Sequence, residues 1–203
     1  MRRIVTREEY FESAMSILGE QGPGGLKISA LCRALKVTSG SFYGYFGSLD
    51  GFTEDFLQYW EETQTERIAN IITRPPEPAD RIHLAKELAA TLPHAAESAI
   101  RSWASTNEKV AAVQRLVDAR RIEALSDILR PAAADDEEAK SLGVMATTLL
   151  VGLQQMRHPV TDADFATIFD EFEEFVLLKL AARGEAPAKG SKTATSPQRQ
   201  RAC

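Results

Sequence analysis

Cysteine is scarce in this 203-residue chain, which carries only Cys32 and Cys203. Two cysteines so far apart build neither a disulfide framework nor a cysteine-based zinc site, and a reducing, cytoplasmic setting is expected. Long apolar runs are missing as well. The nearest candidate, residues 142–156, falls short of the ~18 residues that a membrane span needs. It also carries Thr147, Thr148, Gln154 and Gln155, so it reads as a buried or interface helix. The N-terminus turns acidic at Glu8 and Glu9 before an apolar segment develops, so no secretory signal is expected.

Catalytic constellations are equally lacking. No nucleophile stands with a base and an oxyanion donor, and the chain has neither a glycine-rich phosphate loop nor a G-x-S-x-G elbow. The three histidines, His83, His94 and His158, lie far apart without metal-ligand spacing. The acids at Asp135 to Glu138 read as a solvated helix start, and Glu171, Glu173 and Glu174 as a solvated helix face. Neither an enzyme, a cofactor nor a metal is expected.

Net positive charge is confined to the two ends. The net charge is -5, with 24 Lys and Arg against 29 Asp and Glu. Residues 1–50 carry six basic residues against five acidic ones, residues 51–186 carry 14 against 24, and residues 187–203 carry four and no acid. Only the ends avoid general repulsion from a polyanion.

What the chain does have, almost throughout, is helical spacing, and no stretch alternates apolar and polar residues as a strand would. The fold class is all-α. Thr6 and Glu9 form a capping box, followed by a stripe of Phe11, Ala14, Met15 and Leu18. A short helix over about 28–35 and another to about Tyr45 follow, with Thr38 or Ser39 as the cap between them. Ser48 caps a long helix to about Ile72, and the prolines at 75, 76 and 78 end it. Further helices are expected at about 79–92, 95–105, 108–129, 135–156 and 162–183. The division is a helix-turn-helix head (1–48), a body (49–184) and a disordered basic tail (185–203), with the helix over about 48–72 joining head to body.

Two short helices behind a longer one make a helix-turn-helix unit, and the run Val37 to Phe46 sharpens it. Its small residues allow close approach to a phosphodiester chain, while Tyr43 and Tyr45 offer hydroxyls. Phe42 and Phe46 read as core. For the two tyrosines the residues leave core and contact roles open.

Over Thr6 to about Trp60 the sequence resembles the N-terminal domain of tetracycline-repressor-type (TetR-type) transcriptional regulators, most specifically in G-S-F-Y-x-x-F at Gly40 to Phe46. The likeness continues more loosely through A-I-R-S-W-A at 99–104 and V-D-A-R-R at 117–121. It implies a homodimer that binds double-stranded operator DNA through its heads and a small effector through its bodies. It places Thr38, Ser39, Gly40, Ser41, Tyr43, Gly44 and Tyr45 near DNA, with Thr38 and Tyr43 at phosphate and Ser39, Ser41 and Gly44 at bases. Where relatives often have a basic residue, a larger residue and His, this chain has Ser39, Gly44 and Tyr45. Leu49 replaces a common Lys or Arg, and Lys36 a common glycine, where a left-handed backbone would cost about 1 kcal/mol. DNA binding then leans on Arg2, Arg3, Arg33 and Lys36. A repressor released by its effector is the leading reading. A small-molecule-binding dimer with weak or lost DNA recognition is the alternative.

In the body, an apolar effector is expected among the helices at about 79–156. Trp103, Leu88, Leu92, Val113, Leu116, Met145 and Leu149 would form its wall, and His94, Asn107 and Gln114 would orient it. The last two helices carry apolar stripes, Leu142, Ala146, Leu150 and Leu153 on one and Phe165, Phe169, Phe172 and Val176 on the other. These are expected to pair across a two-fold axis as a four-helix dimer interface.

Overall fold

The computed structural model describes residues 5–73 and 75–184. Arg2, Arg3 and the tail at 185–203 lie outside the described residues.

The described chain is all-α. Helices α1 (Arg7–Gln21), α2 (Ile28–Leu35) and α3 (Ser39–Phe46) form the head. They are followed by α4 (Leu49–Thr73), α5 (Pro78–Ala90), α6 (His94–Ala104), α7 (Glu108–Leu129), α8 (Asp136–Met156) and α9 (Asp162–Gly184). Most starts are written in the sequence. The Thr6 hydroxyl accepts from the Glu9 amide at 3.3 Å while the Thr6 amide donates to the Glu9 carboxylate at 2.8 Å. Ser48 accepts from the Gly51 amide at 3.0 Å, Asp135 from the Glu138 amide at 2.9 Å and Thr161 from the Asp164 amide at 3.1 Å. Pro78 opens α5, where its missing donor is no loss.

Three buried clusters hold these helices together. The largest starts in the head, where Tyr10, Phe11, Phe42, Phe46, Phe52 and Phe56 meet as edge-on, tilted and stacked rings on α1, α3 and α4. It does not end at the head. Trp60 of α4, Ala96 and Ile100 of α6 and Val110 and Val117 of α7 belong to the same cluster. Helix α1 meets α6 at Gly19, where an added Cβ would stand at ordinary contact distance, 3.4 Å, from the Ala95 methyl. Head and body therefore share one core, and a shift of α6 or α4 is felt at α1 and α3.

The second cluster joins Ile82 of α5, Ile128 and Leu129 of α7, Leu142 and Ala146 of α8 and Val176 of α9. The third joins Leu150 and Leu153 of α8 to Phe165 and Phe169 of α9, whose rings stack at 4.3 Å. At the crossing of α7 and α8 the backbones nearly touch. A Cβ at position 143 would lie 2.7 Å from the Ile122 carbonyl oxygen and 2.9 Å from the Ser126 amide nitrogen, so only glycine fits.

The stripes expected to meet a partner molecule lie inward instead. Leu142, Ala146, Leu150, Leu153, Phe165, Phe169 and Val176 are all buried within one chain, and Phe172 packs against the same core. The outward faces of α8 and α9 carry Val144, Thr148, Phe175 and Leu178, the last 64% exposed. The sequence stripe was wide enough to supply two faces, and α5 and α7 took the more aromatic one.

Candidate functional site

The head presents α3 to solvent. Thr38, Ser39, Gly40 and Gly44 are exposed, and Tyr43 is 51% exposed with its ring edge-on to Phe42. Thr38 stands at the N-cap of α3, yet its side chain makes no capping hydrogen bond, unlike those of Thr6, Asn107 and Asp135. Thr38 and the first residues of α3 are exposed together at the positive end of the helix.

Two members of the expected set are held more tightly. The Tyr10 hydroxyl donates to Ser41 Oγ at 3.4 Å, and Tyr45 is half-buried with its ring 5.9 Å from that of Tyr10. The choice between core and contact left open for the tyrosines thus resolves differently for each: Tyr43 stands out and Tyr45 leans in. Arg7, which sequence reasoning missed, brackets this arrangement. Its guanidinium pairs with Asp55 of α4, donates to the Tyr45 carbonyl at 3.4 Å and lies over the Phe46 ring at 5.0 Å.

Lys36 closes α2 in the left-handed conformation, φ 57° and ψ 43°, as its position in the turn requires. The Lys36 amide donates to the Arg33 carbonyl at 3.3 Å and the Val37 amide to the Cys32 carbonyl at 3.0 Å. Lys27, Arg33 and Lys36 are exposed on the head. No basic residue lies within α3 itself.

In the body a cavity of about 100 Å³ lies among α4, α5, α7, α8 and α9. Ile82, Leu88, Leu92, Ile128, Leu150, Phe169 and Phe172 supply much of its apolar wall, and its polar groups are Gln64, Lys86, Arg121 and Glu173. The expected list contributes Leu88 and Leu92 to this wall. Trp103 and Val113 lie against the head core, and Leu149 packs against the third cluster. Val113 and Leu116 line a more open groove beside α4 with Leu57, Gln58 and Lys109. Met145 is exposed. Asn107 caps α7, accepting from the amides of Lys109 and Val110, and Gln114 is buried beside Asp118, to which it donates at 3.1 Å.

Sequence reasoning missed the polar floor of the cavity. Arg121, with a side chain 8% exposed, reaches Glu97 on α6 at 3.0 Å and Gln64 on α4 at 3.2 Å. Gln154 of α8 donates to the same Glu97 at 2.9 Å and lies 3.2 Å from His94 Nδ1. Burial pushes His94 below its ordinary value, partly offset by the nearby Glu97 carboxylate. A neutral ring leaves Nδ1 free to accept from Gln154. One network thus ties four helices to the cavity floor. Its members are dispersed in sequence, and only the pairing of Glu97 and Arg121 across two apolar faces marks them as buried ions.

A second polar group stands at the side of α5 and α9. Lys86 donates to Asp170 at 2.9 Å and pairs with Glu173, which also meets His83 at 2.9 Å. The hydrogen bond to Glu173 raises the His83 pKa. Glu173 is therefore no solvated residue: its side chain is 13% exposed, and the bonds from Lys86 and His83 outweigh burial and hold its carboxyl below the ordinary value.

Among the described residues no His, Cys, Asp or Glu group could hold a metal ion, and no helix is long and apolar enough to cross a membrane. The geometry is that of an exposed helix-turn-helix above a cavity-bearing helical body, and residues 11–54 match the model of bacterial regulatory proteins, tetR family. The head is similar to the N-terminal unit of that family. No curated protein matches the sequence. The whole fold is that of TetR-type regulators. A TetR transcriptional regulator from Legionella pneumophila, 15% identical, aligns with a TM-score of 0.72 over 88% of this chain and 98% of its own. A transcriptional regulator from Saccharomonospora viridis in complex with choline, 14% identical, aligns at 0.70 over 84% and 95%. The regulator FadR from Bacillus subtilis in complex with stearoyl-CoA, 12% identical, aligns at 0.66 over 84% and 97%.

Proposed function

We propose that this chain is a homodimeric transcriptional repressor that binds double-stranded operator DNA through α3 and is released when a small, largely apolar effector fills the body cavity. The observation that carries this reading is the Arg121–Glu97–Gln64 network. Its residues sit on α7, α6 and α4, two of its members line the cavity, and both α4 and α6 enter the head's own core. A molecule that repositions Gln64 or Arg121 acts on the helices that support α1 and α3. An effector binding one packing more tightly than the other then shifts the population between DNA-competent and released states. The regulators of similar fold that are bound to choline and to stearoyl-CoA support a ligand role for the body.

On the DNA side, Tyr43, Thr38 and the open N-terminus of α3 meet phosphate, while Ser39, Gly40 and Gly44 bring the helix close to base edges. Lys27, Arg33 and Lys36, with Arg2 and Arg3, supply the counter-charge. Dimerisation uses the outward face of α8 and α9 around Val144, Phe175 and Leu178, since its exposed apolar side chains need cover.

The second reading, a dimer with weak or lost DNA recognition, is favoured by one observation: no residue within α3 is basic. Selection of bound duplexes from a random pool, with salt titration of the winners, separates the two. The repressor reading predicts an enriched, preferably palindromic, sequence whose affinity falls as salt rises. Recovery of unenriched duplexes would favour the second reading.

A further inference from the structure

The cavity wall contains polar groups that are already paired within the chain, and this selects the kind of molecule it accepts. Arg121 and Glu97 are buried, their side chains 8% and 4% exposed, and each satisfies the other's charge. Lys86 is held by both Asp170 and Glu173. The wall therefore has no cation seeking an anion and no carboxylate seeking a cation. A charged head would enter either uncompensated or at the expense of a buried ion pair, and both are unfavourable.

One group is different. Gln64, 5% exposed and part of the wall, uses its amide oxygen as the acceptor for Arg121. Among the described residues no hydrogen bond is made by its amide NH₂, which is not sealed off from the cavity that Gln64 lines. A donor without an acceptor at the cavity wall favours an occupant that brings one.

We infer that the effector is an uncharged, mainly aliphatic molecule with one hydrogen-bond acceptor, such as a ketone, ester or lactone oxygen, which the Gln64 amide recognises at the α4 end of the cavity. This rests on the reading of the cavity as the effector site. The apolar remainder lies along Leu88, Leu92, Ile128 and Leu150. Because Gln64 is on α4, the contact that selects the molecule is also the one nearest the helix leading to the head.

The test compares three probes of equal chain length, 2-octanone, octanoate and octylammonium, by calorimetric titration of the full chain. It repeats them with Gln64→Glu, which keeps an oxygen for Arg121 but replaces the NH₂ donor by a carboxylate. In the natural chain 2-octanone should bind at least tenfold more tightly than either ion. In Gln64→Glu its affinity should drop about fivefold, the scale of one net hydrogen bond, and octylammonium should become the preferred probe. Gln64→Leu, which removes the donor without adding charge, should weaken 2-octanone alone, and a cooperative thermal transition confirms that each variant is folded. Tighter binding of octanoate or octylammonium to the natural chain would overturn the assignment of ligand class while leaving the cavity as a ligand site. Binding of none of the three would overturn both.

Discussion

Adding one methyl group at position 143 tests the packing on which the cavity depends. The Cβ of Gly143→Ala would fall 2.5 Å from Ser126 Oγ, 2.7 Å from the Ile122 carbonyl oxygen and 2.9 Å from the Ser126 amide nitrogen. Ser126 Oγ can rotate away, losing its 2.7 Å bond to the Ile122 carbonyl, but the two backbone atoms cannot. Helices α7 and α8 must separate. Overpacking of this kind costs about 1–3 kcal/mol, while replacing a helical glycine by alanine returns up to about 1 kcal/mol. Gly44→Ala supplies the control, because it also lies inside a helix and its added methyl meets nothing within 4 Å. The propensity gain cancels in the comparison, so the two variants should differ by about 1–3 kcal/mol in urea-induced unfolding followed by circular dichroism. Gly143→Ala should also weaken ligand binding, since α7 and α8 both line the cavity. Equal stability of the two variants would refute the close crossing.

Three further outcomes are expected. Tyr43→Phe should weaken binding to all duplexes about equally, whereas Gly44→Ala should alter sequence preference, as competition between selected and scrambled duplexes would show. Leu178→Glu should give a folded monomer by light scattering, while Leu150→Glu, buried within one chain, should unfold it instead. His94 is pushed below its ordinary value of 6.5, so it contributes stability above about pH 6.5 that is lost as pH falls through its lower folded value. His83 is shifted the other way and contributes only while protonated. A series of melting curves from pH 8 to pH 5 should therefore show a steeper acid-side loss in the natural chain than in His94→Gln.

Much of the fold was legible because helix starts are local. Thr6, Ser48, Asp135 and Thr161 act within three residues of themselves, and the prolines at 75, 76 and 78 stop and restart the chain regardless of context, whereas the capping role of Asn107 was missed. The left-handed backbone of Lys36 was expected from the family resemblance, in which that turn position is commonly glycine. Side-chain facing was less legible. Leu142, Leu150 and Phe169 lie on apolar stripes that could meet either a partner molecule or α5 and α7, and only tertiary packing decides between them. Of the expected wall only Leu88 and Leu92 line the cavity, which also takes in Gln64 of α4 and Phe169, Phe172 and Glu173 of α9 outside the expected span, and Gln64, Glu97, Arg121 and Gln154 were invisible. Separated by tens of residues, they look like ordinary surface polar groups until the helices place them 2.9–3.2 Å apart.

If filling the cavity weakens the grip of α3 on DNA, fluorescence anisotropy of a selected duplex titrated with 2-octanone will report it, using the natural chain and Leu88→Trp, whose larger side chain occupies the cavity. The probe should lower duplex affinity by about fivefold or more in the natural chain and leave Leu88→Trp unmoved. Equal release of DNA from both chains would contradict it.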